Sequence, residues 1–465
     1  MSGRFRILPS ITEVDTFLKS RSLPAGREVR ERVDAFLGQA RQTLALAQEA
    51  PWSNKQDVLE ALTNELAQTP ARATEQVINA TGVVVHTNLG RAPLAAELFR
   101  KAEARLCAYS PLEFDLKTGE RGERGTRVQS LLRTLSGAEA GIAVNNNAAA
   151  VFLMLRALAA GKEVIVSRGE LVEIGGSFRI PDIMREAGVT LVEVGTTNRT
   201  RLSDYERAIT DNTAALLKVH PSNYEMRGFT EEVELSELAT LARQHDLLSL
   251  YDWGSGSFYR FSQEPLRDHP TAAQVLDSGV DVVAFSGDKL LGGVQAGLVL
   301  GQEALVQKLR KHPLYRALRL DKGTLALLEE TLSAYLDPEH APEHIPTVRM
   351  LEESVDVIRV RAEYTQARLK LAQEPGFTCE LREADSLAGG GALPELTLPS
   401  LALVVRHTER SAQQLQTRLR EFPVPVIARI QDECVWLDFR TVLPGDLADL
   451  ADALNALCSQ DETSS

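Results

Sequence analysis

The chain has 465 residues, 44% hydrophobic and 25% charged, and a formal net charge of −13 from 51 basic and 64 acidic side chains. That composition excludes a disordered or fibrous chain, the length exceeds what a single core usually reaches, and the acidity argues against a broad nucleic-acid-binding surface, because phosphate binding is driven by Lys and Arg. The opening MSGRFRILPSITEVD lacks an apolar signal-peptide core, no run approaches the roughly 18 apolar residues of a membrane span, and Cys107, Cys379, Cys434 and Cys458 show no CxxC spacing, so the expectation is a cytoplasmic protein with reduced thiols, no metal site and no membrane segment.

In chain order, residues 1–70 read as a helical N-terminal domain. ITEVDTFLKS is followed by REVRERVDAFLGQARQTLALAQ, in which Val29, Val33, Phe36, Leu37 and Leu44 keep helical spacing. Residues 1–32 hold Arg4, Arg6, Lys19, Arg21, Arg27, Arg30 and Arg32 against Glu13, Asp15, Glu28 and Glu31, which is 7 minus 4, or +3. Composition alone leaves open a basic binding face or an ordinary solvated helix surface. After the linker-like LAQTPARAT, residues 71–330 alternate short apolar runs with helical patterns. The runs are 141–144, 163–167, 190–195, 214–220, 248–254, 280–287 and 297–301. Seven strands with helix-length crossovers imply an α/β fold with a mostly parallel sheet covered on both faces. The last connection is too short for a crossover helix, so strand 297–301 is expected to run antiparallel to its predecessor. Residues 331–465 read as a long linking helix, part of a helical stretch near 324–374, and a small α+β domain with LALVVRH, VPVIARI, CVWLDFR and the helix SAQQLQTRLREF.

Ligands of such sheets sit beyond the carboxyl ends of the strands, and three motifs fall there. VNNNAAAV runs a strand through Asn145, Asn146 and Asn147 into a helix that opens on small residues, leaving free amides for an anion such as phosphate, although Asn is equally an N-cap. LYDWGSG ends an apolar strand on Asp252, which reads as a partner for a protonated pyridine nitrogen or as a structural acceptor. AFSGDKLLGG puts Lys289 in a turn after a strand, with Ser286 three residues earlier in reach of a phosphate. A desolvated lysine there can act as a Schiff-base nucleophile. The order of the three motifs in one sheet is the layout of pyridoxal phosphate enzymes of the aspartate aminotransferase fold type I.

Longer stretches carry a narrower resemblance. INATGVVVHTNLGRAPL (78–94), LSGAEAGIAVNNNAAAV (135–151), SRGELVEIGGSFRIPDIM (167–184), VHPSNYEMRGFTEEV (219–233), FSGDKLLGGVQAG (285–297) and LYRALRLDKGTLALLEETL (314–332) resemble the bacterial L-seryl-tRNA(Sec) selenium transferases, the selenocysteine synthases, over nearly the full chain. Departures are local: Val294 stands where proline is expected, Gly323 where a bulkier apolar residue is, and Trp253 in place of leucine. The resemblance implies replacement of the hydroxyl of serine esterified to tRNA(Sec) by selenium from selenophosphate. The route it implies is pyridoxal 5′-phosphate-dependent β-elimination to an aminoacrylate followed by selenium addition. It implies Lys289 as cofactor tether and α-proton base, Asp252 on the pyridine nitrogen, and Asp288 as an acid that orients or protonates. It also assigns Arg91, Arg316 and Arg319, and an anion such as selenophosphate suits guanidinium forks better than the esterified seryl carboxyl does. If LYRALRLDKG is helical, Arg316 and Arg319 share one face. The basic N-terminal helices would read seryl-tRNA(Sec), and the family's assembly is a ring of dimers, a homodecamer.

Competing readings are a β-eliminating lyase for a small free amino acid or a phosphorylated amino sugar acid, a cysteine desulfurase and an inactive tRNA-binding scaffold. The N-terminal helical domain speaks against the first, the lack of a loop cysteine in the C-terminal region against the second, and the presence of both Lys289 and Asp252 against the third.

Overall fold

The computed structural model describes residues 4–20, 27–46, 51–67, 76–174, 178–222, 224, 226–391 and 393–458. The chain divides into two compact units, Met1–Gln76 and Val77–Ser465.

The first unit contains helices α1 (Ile11–Ser20), α2 (Arg27–Leu46) and α3 (Lys55–Ala67). Its small core is Val14, Leu18, Val33, Leu37, Leu59 and Leu62, the apolar stripe that the helical spacing marks out. Part of its basic character is used internally. Arg30 pairs with Asp15 at 3.4 Å, and Arg32 donates to the carbonyls of Glu65 and Leu66. Arg21 lies outside the described residues.

The second unit carries strands β1 (Ile78–Ala80), β2 (Ala140–Val144), β3 (Glu163–Ser167), β4 (Thr190–Val194), β5 (Thr213–Val219), β6 (Leu248–Gly254), β7 (Val282–Ser286), β8 (Gly297–Gly301), β9 (Phe377–Gly389), β10 (Leu393–His407), β11 (Val426–Gln431) and β12 (Cys434–Asp438), besides a two-residue ladder at 173–179. β2 to β8 form one seven-stranded sheet in the order β2-β8-β7-β6-β5-β3-β4. β3 to β7 pair in parallel, whereas β8 is antiparallel to both β2 and β7, because residues 287–296 are too few for a crossover helix. Alternate residues of one strand enter different cores. Val283 and Phe285 join one cluster, Val282 and Ala284 the other, and Leu298 and Val299 divide likewise. The sheet is therefore buried on both faces, which is why its strands read as continuous apolar runs.

The expected long helix near 324–374 is instead broken into Lys322–Ala334, Ala341–His344, Pro346–Glu352 and Val355–Gln366. Pro342 and Pro346 sit in first turns, where proline's missing amide costs nothing and its ring prevents continuation from the preceding helix. The second sheet has the order β1-β11-β12-β10-β9. β1 pairs in parallel with β11, so both ends of the unit build this sheet. The β9–β10 hairpin, whose first strand alternates only over Phe377, Cys379 and Leu381 and then loses the pattern, is anchored at its far end by Val84 N–H and Val85 N–H, which donate to Leu387 O and Ala388 O at 2.9 Å. That anchoring aims the hairpin tip at the carboxyl ends of the large sheet. Among the described residues no helix is long and apolar enough to cross a membrane.

Candidate active site

Lys289 lies three residues beyond β7 in a closed turn. Gly287 N–H donates to Ala296 O, Gly292 N–H to Lys289 O and Gly293 N–H to Gly287 O, each at 2.8 Å. Gly292 has φ +70°, and a Cβ there would meet Ile345 Cγ2 at 2.5 Å, so only glycine fits. Lys289 is 8% exposed, and its Nζ donates to Gly391 O at 2.7 Å on the hairpin tip. Burial lowers its pKa, Arg91 adds to that, and Asp252 opposes it. The net result is an amine that gives up its proton more readily than a surface lysine.

Asp252 is 4% exposed and sits at a bulge. The β6–β7 register shifts between Asp252 and Gly254, so Trp253 is the extra residue. Trp253 stacks on His269 at 5.6 Å, filling the core behind the carboxylate. Asn147 Nδ2 donates to Asp252 Oδ1 at 2.7 Å. Burial raises the Asp252 pKa, while Asn147 and Lys289 pull it back. A carboxylate in this state gains most from a cationic hydrogen-bond donor. Beside it is His220, which the sequence reading passed over although it follows β5 as Lys289 follows β7. Its N–H donates to Asp252 O at 2.9 Å, and burial holds its imidazole at a pKa of about 4, so the ring is neutral.

The three asparagines divide their tasks, and their side chains do not form one anion cradle. Asn145 N–H donates to Leu318 O at 3.0 Å, and its side-chain amide faces the same carbonyl. Asn146 caps helix α4 (Asn147–Ala159) by accepting from Ala149 N–H at 2.8 Å, and Asn147 turns to Asp252. What remains for an anion is the start of α4, whose first amides lack intrahelical acceptors. Ser286 pairs with Gly297, where a Cβ would stand 2.1 Å from Asn146 O, which brings the end of β7 near the start of α4.

The three candidate arginines also separate. Arg91, in a left-handed conformation at φ 64°, grips Asp288 with Nη1–Oδ2 at 2.6 Å, next to Lys289. Such a backbone conformation is costly for arginine and marks a constrained position. Arg316 lies in helix α5 (Pro313–Leu318), but Arg319 is its C-cap, at φ −67° and ψ 144°. The pair therefore does not share one helix face. Helix α5 stops because Leu318 O is taken by Asn145 N–H and Arg319 bridges Val144. Both arginines nonetheless line one cavity of about 420 Å³ with Arg121, Arg124, Arg310 and Lys311, six cations against Glu113 and Glu123. Glu113 binds Arg319, Arg124 and Arg121 at 3.1 to 3.2 Å, while Arg316 is exposed. Among the described residues no group of three or more His, Cys, Asp or Glu could hold a metal ion.

Comparison with known proteins bears on this geometry. The family described as L-seryl-tRNA selenium transferase matches residues 77–443. The L-seryl-tRNA(Sec) selenium transferase of Nitratidesulfovibrio vulgaris is 45% identical over 464 residues, 98% of this chain and 99% of its own. That of Geobacter sulfurreducens is 49% identical over 395 residues, 85% and 86% of the two chains. Among solved structures, D-glucosaminate-6-phosphate ammonia-lyase superposes with a TM-score of 0.56 at 21% identity, covering 83% of this chain and 96% of that one, a likeness of fold alone. With the match to residues 77–443 and relatives sharing nearly half of its residues over most of their length, the chain belongs to the L-seryl-tRNA selenium transferase family.

Proposed function

We propose that this protein converts L-seryl-tRNA(Sec) to L-selenocysteinyl-tRNA(Sec) in the cytoplasm, with pyridoxal 5′-phosphate held at Lys289 and selenophosphate as selenium donor. The observation that carries this reading, beside family membership, is a buried lysine amine and a buried carboxylate at the ends of adjacent strands, the carboxylate steered by Asn147. The residues fit the cofactor. Asn147 Oδ1 and His220 Nδ1 are buried without a partner among the described residues, Asp252 suits a protonated ring nitrogen, and Ser286 with the start of α4 would form a phosphate cradle. When bound, the cofactor supplies an aldehyde that captures amines and a ring that accepts electrons from the substrate α-carbon.

This chain's residues supply the remainder. Lys289 tethers the cofactor and, once the seryl amine has displaced it, its freed amine, its pKa lowered by burial, takes the seryl α-proton. Asp252 keeps the ring nitrogen protonated, and Asn147 fixes that carboxylate. Asp288, gripped by Arg91, is an acceptor placed to orient substrate beside the lysine. Arg316 and Arg319 bind the selenium-donor anion in the cationic cavity. Overall the seryl β C–O bond breaks with loss of the hydroxyl as water, a C–Se bond forms, and the Se–P bond of the donor is hydrolysed with release of phosphate. Met1–Gln76, with exposed Arg6 and Arg30, reads the tRNA. The protein assembles as a homo-oligomer, a ring of dimers, and exposed Tyr109, Phe114 and Leu116, close together in sequence, support an interface there. The test is selenium incorporation: product is expected from seryl-tRNA(Sec) with selenophosphate and not from free serine or a phosphorylated amino sugar acid. The reverse preference would establish the lyase reading.

A further inference from the structure

Conversion of an aminoacyl ester, the reading on which this inference rests, requires room for more than serine. The seryl carboxyl is joined to the ribose of the terminal nucleoside, so a sugar and a base must lie a few bonds from the reacting carbon. The large sheet holds a cavity of about 630 Å³ beside the lysine site, a volume typical of small-molecule pockets. It opens over the carboxyl ends of β3, β4 and β5, where Ser167, Thr197 and His220 line it. The lysine, Asp252 and the phosphate cradle occupy the neighbouring ends of β7, β6 and β2. Of the groups assigned above to the cofactor only His220 lines the cavity, and none of Asn147, Asp252, Ser286 or Lys289 does, so the cavity borders the cofactor's place at His220 and extends away from it.

Two links join it to the reacting centre. His220 lines the cavity and donates its backbone N–H to Asp252 O at 2.9 Å. The hairpin tip that accepts Lys289 Nζ at Gly391 continues into Leu393 and Leu396, which form part of the cavity wall. The lining suits a flat base and a sugar rather than an anion. Tyr224, whose ring is fixed by its hydroxyl donating to Gly169 O, contributes apolar lining together with Met226, Leu393 and Leu396. Glu231 supplies an acceptor: Arg199 and Arg201 bind its Oε2 at 2.6 to 3.2 Å, leaving Oε1 without a donor among the described residues. The carboxyl groups of Glu170, Glu231 and Glu232 are matched by Arg199 and Arg201 on Glu231 and by Lys218 on Glu170 and Glu232, three acids against three cations, so no net positive charge favours a phosphate there, in contrast to the cationic cavity around Arg316.

The geometry points to this cavity as the seat of the 3′-terminal adenosine of the aminoacyl-tRNA, with the base against Tyr224 and a ribose hydroxyl on Glu231. Base stacking on an aromatic side chain is worth roughly 1–3 kcal/mol, a factor on the order of ten or more in affinity. The test is calorimetric binding to the pyridoxal phosphate-loaded protein of two stable probes: serinamide, and 3′-amino-3′-deoxyadenosine acylated by serine on its 3′-nitrogen. The adenosine probe is expected to bind on the order of tenfold tighter or more. Thr197→Trp, at an exposed position on the cavity wall, is expected to abolish that advantage and leave serinamide binding as in wild type. Equal affinity of the two probes in wild type, or an undiminished advantage in Thr197→Trp, would overturn the assignment. The wild-type comparison stands even if the variant fails to fold. Failure of the cavity alone leaves conversion of seryl-tRNA(Sec) intact, whereas failure of the functional reading removes it.

Discussion

Asn147 donates a 2.7 Å hydrogen bond to Asp252, joining the first turn of α4 to the bulged end of β6 across 105 residues of sequence. Asp252 is almost fully buried, and its orientation is set by this bond together with a backbone hydrogen bond from Gly254. Asn147→Ala is expected to weaken pyridoxal phosphate binding by roughly tenfold, the worth of one hydrogen bond to a charged group, without preventing attachment to Lys289. Fluorescence titration with the cofactor checks it, and unchanged affinity would mean that Asp252 is held without Asn147. Asp252→Asn is expected to retain attachment and to lose most exchange of the seryl α-proton with solvent deuterium, because an uncharged pyridine is a poor electron sink.

For the anion cavity, Arg316→Ala and Arg319→Ala are each expected to raise the KM for selenophosphate while leaving seryl α-proton exchange nearly intact. Lysine at either position should rescue only in part, because a point charge lacks the bidentate fork. If the cavity instead meets the nucleic acid, both variants will lose affinity for seryl-tRNA(Sec) and keep their response to the anion.

Removal of residues 1–76 is expected to leave cofactor attachment to the second unit unchanged and to reduce affinity for seryl-tRNA(Sec) strongly. A gel-shift titration of the truncated protein measures this. Full affinity would place the tRNA reader on Val77–Ser465.

Glu170 gives a pH signature. Burial raises its pKa from 4.5 to about 7, opposed by Lys218, with Glu232 reinforcing the rise. A carboxyl raised in the folded state contributes most below its unfolded pKa, and that contribution is lost as pH climbs through about 7. The loss amounts to roughly 3 kcal/mol at full extent. Glu170→Gln keeps an acceptor for Val219 N–H and does not titrate, so its stability relative to wild type is expected to increase between about pH 5 and pH 8. Thermal midpoints of both proteins across that range test the sign, and a constant difference would contradict it.

The seven strands were legible because a doubly covered sheet forces apolar runs such as EVIVS and VVAFS. The same strand-end logic located Lys289, Asp252 and Ser286. It did not reveal that Asn147 faces Asp252, because a polar residue at a helix start reads as an anion cradle until topology places another strand opposite it. The bulge at Trp253 and the early stop of α5 are likewise set by tertiary bonds, the latter by Asn145 taking Leu318 O. β1 is three residues long, and β9 carries the weakly patterned TCELREADS, so neither stood out. The prolines at 342 and 346, which break the linking helix, were readable and outweigh the apolar periodicity around them. His220 was also within reach, since it directly follows a strand of the same sheet.

The central claim is that the Lys289 amine carries the cofactor. The direct measurement is borohydride reduction of the purified protein with pyridoxal 5′-phosphate, followed by proteolysis and mass analysis of the labelled peptide. A single reduced pyridoxyl phosphate group on Lys289, absent from Lys289→Ala, is the predicted result; a label on another lysine, or the same labelling in Lys289→Ala, would contradict the account.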